Sequence, residues 1–334
     1  MQKRSSSSLS LELLAIGTSV MSPCRPLGYI GALAILYVLL KLSATIYVFI
    51  RPSRLSKYLR KDVDTYALIT GATDGIGLGF ARELCRQGFG VILHGRCQHK
   101  LQRTRDILKD EYPDAQIRTF ICDAALLNPP EVFDSLAREL QDVNLTVLIN
   151  NVGGQAGSVQ GPYKSYLDYT HEQIDRVISV NTRFMTQLTR VLLPLLDRNG
   201  PSLILNMSSF AARGTPYVAV YSATKGYVKT FSAALAMEMR MQKKKIDVVA
   251  LNVAEVQSGS HTVPTSLFIP TGRQFARSAL KNVGYGSETV EGYWPHAVQG
   301  VFVDMIPEWM RQITVMQAVR SRIAALPGIS KNVK

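Results

Sequence analysis

Apolar and polar residues follow two rhythms along this chain. Short apolar runs at 65–70, 90–94, 116–121, 146–150, 202–207 and 246–252 have the length and content of buried strands. Between them, residues 75–87, 97–110, 130–141, 170–196 and 221–242 return apolar side chains every three to four positions, which predicts helices. Strand and helix in alternation predict an α/β fold, a doubly wound parallel sheet of the Rossmann type. The segment 254–290 breaks the rhythm, mixing Gly, Ser, Thr and Pro with apolar residues. Beyond it, Ala297–Ile306 is too short to cross a bilayer and is interrupted by Asp304 and Pro307. Core packing is the favoured expectation there, ahead of an interfacial segment carrying Trp309.

One apolar stretch stands apart. Residues 27–50 exceed the roughly 20 that a membrane-crossing helix needs. Lys41 is its blemish, at about 2.5–3.5 kcal/mol for a mid-span lysine, and a hairpin or interfacial helix stays open as an alternative. The chain therefore divides into a disordered N-terminus (1–26), a membrane segment (27–50), a basic linker (51–63), an α/β domain (64–305) and a C-terminal tail (306–334). Arg51, Arg54, Lys57, Arg60 and Lys61 follow the segment, against Lys3, Arg4 and Arg25 before it, which places the domain on the cytosolic side.

The net charge of +13 changes this picture little, because much of it lies along amphipathic helices such as 100–109. With no basic stripe interleaved with aromatics, no nucleic acid partner is expected. Cys24, Cys85, Cys97 and Cys122 have neither metal nor disulfide spacing, so no metal is expected and a reducing compartment is. The sequons at Asn144 and Asn206 fall on predicted core strands, which argues against a luminal domain.

Two motifs carry the chemistry. Thr70-Gly71-Ala72-Thr73-Asp74-Gly75-Ile76-Gly77 follows a predicted strand and opens a predicted helix. Such a turn lets backbone amides approach a pyrophosphate at the positive end of the helix, which makes Gly71, Thr73, Asp74, Gly75, Ile76 and Gly77 candidates for dinucleotide binding. Tyr221-Ser-Ala-Thr-Lys225 places a phenol and an ammonium one helical turn apart, where Lys225 is expected to depress the phenol pKa of Tyr221. Alone it is weak: a chain with 14 tyrosines shows roughly one such pair by accident, as at Tyr37 and Lys41.

Together with Asn150-Asn151-Val152-Gly153, Asn181 and the serine pair 208–209, these motifs resemble the short-chain dehydrogenase/reductase family over residues 64–300. The resemblance implies that Tyr221 donates a proton to a carbonyl oxygen as hydride arrives from a nicotinamide. It implies that Lys225 supports the phenol and binds the cofactor ribose, that Ser209 holds the substrate oxygen, and that Asn181 anchors a water. Strand register favours Ser209, while the usual spacing to the tyrosine favours Ser208. The second strand ends His94-Gly95-Arg96 without a carboxylate, which favours NADPH, with Arg96 facing the 2′-phosphate. Asp123, Asn151, Val256 and Ser258 match further cofactor contacts. Asn252-Val253-Ala254-Glu255 departs from the pattern by lacking its proline, and in the family the region 254–290 covers the substrate.

Within the family the chain is most similar to the membrane-anchored very-long-chain 3-oxoacyl-CoA reductases and their 17β-hydroxysteroid dehydrogenase relatives. The implied activity is NADPH-dependent reduction of a lipophilic ketone, 3-oxoacyl-CoA first, at the endoplasmic reticulum membrane facing the cytosol. A steroid or specialised-metabolite ketoreductase is the alternative, and a catalytically silent membrane scaffold is the third reading. Homo-oligomers are common in the family.

Overall fold

A computed structural model describes residues 24–60, 62–155, 163–259 and 261–324. The N-terminal expectation up to residue 23, and that for the last ten residues of the tail, lie outside the described residues. The described chain forms two units, one ending at Ile46 and one beginning at Tyr47.

The first unit holds most of helix α1 (Cys24–Ile50). Its Gly28–Ile50 portion is, among the described residues, the one helix long and apolar enough to cross a membrane, and none of that span is buried.

The second unit is built on seven parallel strands, β1 (Thr65–Ile69), β2 (Gly90–Gly95), β3 (Ile117–Ile121), β4 (Asn144–Asn150), β5 (Ser202–Met207), β6 (Ile246–Asn252) and β7 (Thr289–Glu291). They lie in the order β3-β2-β1-β4-β5-β6-β7. Alternate residues feed two cores. Ala67, Ile69, Val147, Ile149, Leu203 and Leu205 face a layer containing Phe80, Leu84, Phe275 and Leu280. Tyr66, Leu68, Leu148 and Ile204 face one containing Phe133, Phe184, Leu188 and Leu192. Burial on both faces is why these strands read as continuous apolar runs. Strand order reverses between β1 and β4, and in open α/β sheets ligands bind beyond the strand C-termini at that point.

The helices are α2 (Gly75–Arg86), α3 (Gln98–Glu111), α4 (Pro130–Glu139), α5 (His171–Ile178), α6 (Phe184–Arg198), α7 (Ala219–Met241), α8 (Gly272–Lys281), α9 (Trp294–Met305) and α10 (Glu308–Ala324). The single helix predicted at 170–196 is two, joined by the π-turn Ser179–Arg183. Thr170 starts α5 through a capping box with Gln173.

Two expectations are corrected, and the attachment of the linker is a further observation. The irregular segment 254–290 contains α8, opened by a second capping box between Thr271 and Gln274, and the short β7. Ala297–Ile306 is not core throughout: Pro295, His296, Ala297 and Gly300 are buried, whereas Phe302 and Met305 are exposed and Trp309 keeps 63% of its surface. The first turn of α9 packs because His296 sits among the rings of Phe210, Phe275 and Tyr293, and the helix then leaves the core. Finally, the basic linker is stitched to the sheet. Leu55 and Tyr58 are buried, Thr146 Oγ1 donates to the Tyr58 carbonyl (2.7 Å), and the Tyr58 hydroxyl donates to Asp247.

Candidate active site

The glycine turn joins β1 to α2. Gly75 adopts φ +53°, and a Cβ there would lie 2.6 Å from the Ser258 Cβ. A Cβ on Gly77 would lie 2.1 Å from the Gly71 carbonyl oxygen, so backbone meets backbone and no side chain fits. Asp74 caps α2, its Oδ1 accepting from the Gly75 amide at 2.6 Å.

Two polar residues from other strands hold this turn. The Thr70 hydroxyl accepts from the amides of Asn151 (2.8 Å) and Val152 (2.9 Å), and Asn151 Nδ2 donates to the Thr70 and Gly71 carbonyls. The ends of β1 and β4 are thereby tied at the switch point. His94, at the end of β2, is buried to 1% exposure. Its Nδ1 accepts from the Gly71 amide (3.3 Å), Nε2–H donates to the Cys122 carbonyl (3.1 Å), and its own carbonyl accepts from Ala72 (2.9 Å). Burial pushes this imidazole down to about 4, partly opposed by the Cys122 bond and the charge of Asp123, so the ring is neutral and fits one acceptor and one donor role. In the sequence His94 counted only as a non-carboxylate; its ring is part of the scaffold under the turn. Arg96 is exposed just beyond β2, and Asp123 caps its own loop through the Ala125 amide (3.0 Å).

The second half of the site sits on α7 and the end of β5. Ser208 and Ser209 point to opposite sides. Ser208 Oγ is buried and donates to the Lys225 carbonyl (2.9 Å), whereas Ser209 lines a cleft and hydrogen-bonds the Tyr221 phenol. Lys225 is buried, and its Nζ donates to the Met207 carbonyl at 2.8 Å. Asn181, presented by the π-turn, accepts from the Gly154 amide (3.0 Å) and donates to the carbonyls of Gly154 and Val177 (both 2.8 Å). A π-turn widens the helix by one residue and is frequent at functional sites. The Gly153 backbone passes against both Asn181 and Lys225.

One electrostatic expectation is corrected. The phenol of Tyr221 is raised above its ordinary value by burial, with the Ser209 bond pulling the other way, and Lys225 is not among the causes. Lys225 is itself lowered to about 8 by burial. Its ammonium lies 5.5 Å from the Tyr221 ring centre and is directed at the Met207 carbonyl instead of the phenol oxygen.

The cleft beside Tyr221 measures about 610 Å³. Its walls include Ile76, Phe210, Val218, Val253, Val256, Phe268 and Ile269, with Ser209, Glu255, His261 and Arg322 as polar members. Val256 is thus in the wall, and Ser258 lies over Gly75, so the loop after β6 reaches both halves. Phe268 and His261 fall in the segment 254–290 that the resemblance places over the substrate, though no motif marks them individually, whereas Arg322 was not expected and only the fold reveals it. Among the described residues no group of His, Cys, Asp and Glu is arranged to hold a metal.

The glycine cradle, the positive end of α2 and the absence of a carboxylate beside Arg96 fit a phosphorylated dinucleotide. A family model described as short chain dehydrogenase matches residues 65–263. The very-long-chain 3-oxoacyl-CoA reductase let-767 of Caenorhabditis elegans is 36% identical over 304 residues, covering 90% of this chain and 94% of that one. A very-long-chain 3-oxoacyl-CoA reductase of Neurospora crassa is 33% identical, covering 74% of each. Among solved structures, a 7β-hydroxysteroid dehydrogenase superposes with a TM-score of 0.64 at 17% identity, covering 79% of this chain and 98% of that one. A short-chain dehydrogenase from Sphingobium yanoikuyae in complex with NADPH gives 0.58 at 22%, covering 80% and 97%. At those identities the structures speak to fold alone.

Proposed function

The chain belongs to the short chain dehydrogenase family, and from that premise we propose that it is an NADPH-dependent reductase of 3-oxoacyl-CoA, yielding 3-hydroxyacyl-CoA in very-long-chain fatty acid elongation. The observation that carries this reading is the pairing of Ser209 with Tyr221 at the wall of an apolar cleft, with Lys225 buried on the same helix. The relatives named as very-long-chain 3-oxoacyl-CoA reductases support the substrate class.

Gly71, Thr73, Asp74, Gly75, Ile76 and Gly77 would hold the pyrophosphate end of NADPH, Arg96 its 2′-phosphate, Asp123 the adenine side, and Asn151, Val256 and Ser258 the nicotinamide side. Bound NADPH supplies the hydride. The chain's own residues manage the charge that then grows on the carbonyl oxygen. Ser209 donates a hydrogen bond to that oxygen and Tyr221 delivers a proton to it, and donors aimed at developing charge lower the barrier. Lys225 is the nearby ammonium that makes the resulting phenolate tolerable. Its ammonium donates to the Met207 carbonyl, and with a dinucleotide in place it would also be the group to bind the ribose. Asn181 fixes the backbone at 153–154, which forms the floor beside Lys225.

The apolar helix α1 supports anchoring in the endoplasmic reticulum membrane with the second unit in the cytosol, which suits a substrate whose tail partitions into lipid. The test is direct: the purified full chain, with NADPH, is offered long-chain 3-ketoacyl-CoA and steroid ketones while NADPH consumption is followed. Turnover of the thioester supports the reading, and turnover of steroid ketones alone overturns its substrate assignment. The apolar lining of the cleft and the altered Asn252–Glu255 segment favour that steroid reading as the second one.

A further inference from the structure

Helix α10 brings a charged group from the far end of the chain into the cleft. Arg322 donates from Nη2 to Glu255 Oε2 (2.7 Å) and from Nη1 to the Tyr163 hydroxyl (3.4 Å). The other oxygen of Glu255 meets His261 Nε2 at 2.9 Å. All four residues line the cavity that holds Tyr221 and Ser209.

Helix retention does not account for the pair. α10 is held by Val319 and Ile323, both buried, whereas 54% of the Arg322 side-chain surface is open to water. An ion pair that wet contributes about 0–1 kcal/mol. Glu255 is not placed as a proton donor, since both of its oxygens are engaged. What the pair does accomplish is orientation. A guanidinium carries five N–H donors in a rigid fork, and a carboxylate on one edge fixes where the other donors point. The result is an aimed cation at the rim of an apolar cleft.

We propose that Arg322 is a specificity-determining residue: held by Glu255, it receives a phosphate group of an anionic acyl thioester whose ketone lies at Tyr221. This inference rests on the reductase reading and adds to it the end of the substrate that the apolar walls leave unread. An uncharged polycyclic ketone offers this group nothing.

The test uses the full chain with NADPH and one 3-ketoacyl chain presented as two thioesters, one of coenzyme A and one of uncharged N-acetylcysteamine. In wild type, kcat/KM favours the coenzyme A thioester, and added salt erodes that preference. Arg322→Gln lowers the ratio of the two kcat/KM values about tenfold, the scale of one charge-assisted contact, and does so through KM. Arg322→Lys, which keeps the charge and loses the fork, falls between. An unchanged ratio in Arg322→Gln, or an equal loss on both thioesters, overturns the proposal. Wild-type protein that reduces steroid ketones and neither thioester overturns the reductase reading, and this inference with it.

Discussion

The two halves of the cleft are held in different ways. On the side of the glycine turn, the groups sit where β1, β2 and β4 end and where α2 begins, and short side chains bonded to backbone tie them together: Thr70 and Asn151 across β1 and β4, His94 beneath the turn. On the cover side, the loop after β6 and the last two helices are joined to the rest by side chains: His296 to the Phe268 carbonyl, Arg322 to Glu255, Arg213 to Asp304. The C-terminal edge of a sheet tolerates almost no change in shape, whereas a loop and helices attached through long side chains tolerate more. On the function proposed above, cofactor recognition belongs to the rigid side and selectivity to the pliant one.

Substitutions should respect that division. The largest effect is expected from Tyr221→Phe, which removes the proton donor: turnover falls about 10²–10⁴-fold while NADPH affinity, measured by fluorescence titration, stays put. A loss smaller than tenfold would assign the proton to another group. Next comes Gly77→Ala, whose new methyl meets the Gly71 carbonyl at 2.1 Å. Overpacking of this kind costs about 1–3 kcal/mol. NADPH binding should therefore weaken by about tenfold or more with little change in KM for ketone, and a silent Gly77→Ala would show that the turn is softer than the comparison requires.

His94→Leu removes the ring that binds the Gly71 amide and the Cys122 carbonyl. Each buried group left unpaired costs about 1–3 kcal/mol, so a lowered thermal midpoint accompanied by weaker NADPH binding is expected. A lowered midpoint with unaltered binding would mean that the ring props the sheet and not the turn. The smallest effect near neutrality is that of pH. Lys225 is lowered to about 8 by burial, so its charge is present below that value and lost as pH rises through it. If the ammonium supports the phenolate, kcat/KM at pH 8 is about half its value at neutrality and continues to fall above. A flat profile to pH 10 would remove Lys225 from the charge balance.

The same division governs what could be read from the chain. Six of the seven strands stand where the apolar runs placed them, because burial on both faces makes β1, β2, β4, β5 and β6 continuous apolar runs, while the largely exposed β3 still carries enough apolar residues to show. β7 is three residues long and leaves none. Helix α8 was legible in principle, since Thr271 and Gln274 form a capping box and Phe275, Ala276, Ala279 and Leu280 share a buried face, but the Gly, Ser, Thr and Pro around it masked the signal. Serine register on β5 is a backbone property, and it turns Ser209 and not Ser208 toward the cleft. The electrostatics of Tyr221 were not legible, because helical spacing sets how near two side chains can come and not which carbonyl captures the ammonium. Arg322 and His261 had no pattern at all, as their neighbours are 67 and six residues away along the chain.

The stem between α1 and β1 has a practical corollary. Tyr285 and Asn282 grip Pro52 and Arg51, and Tyr58 plugs the sheet beside Asp247. A protease that clips before Tyr47 severs none of these attachments, whereas one that clips past Tyr58 takes both Leu55 and Tyr58 out of the core on that face of the sheet and should trigger unfolding. The natural boundary for trimming this protein is thus a few residues wide and lies upstream of where the strand pattern begins.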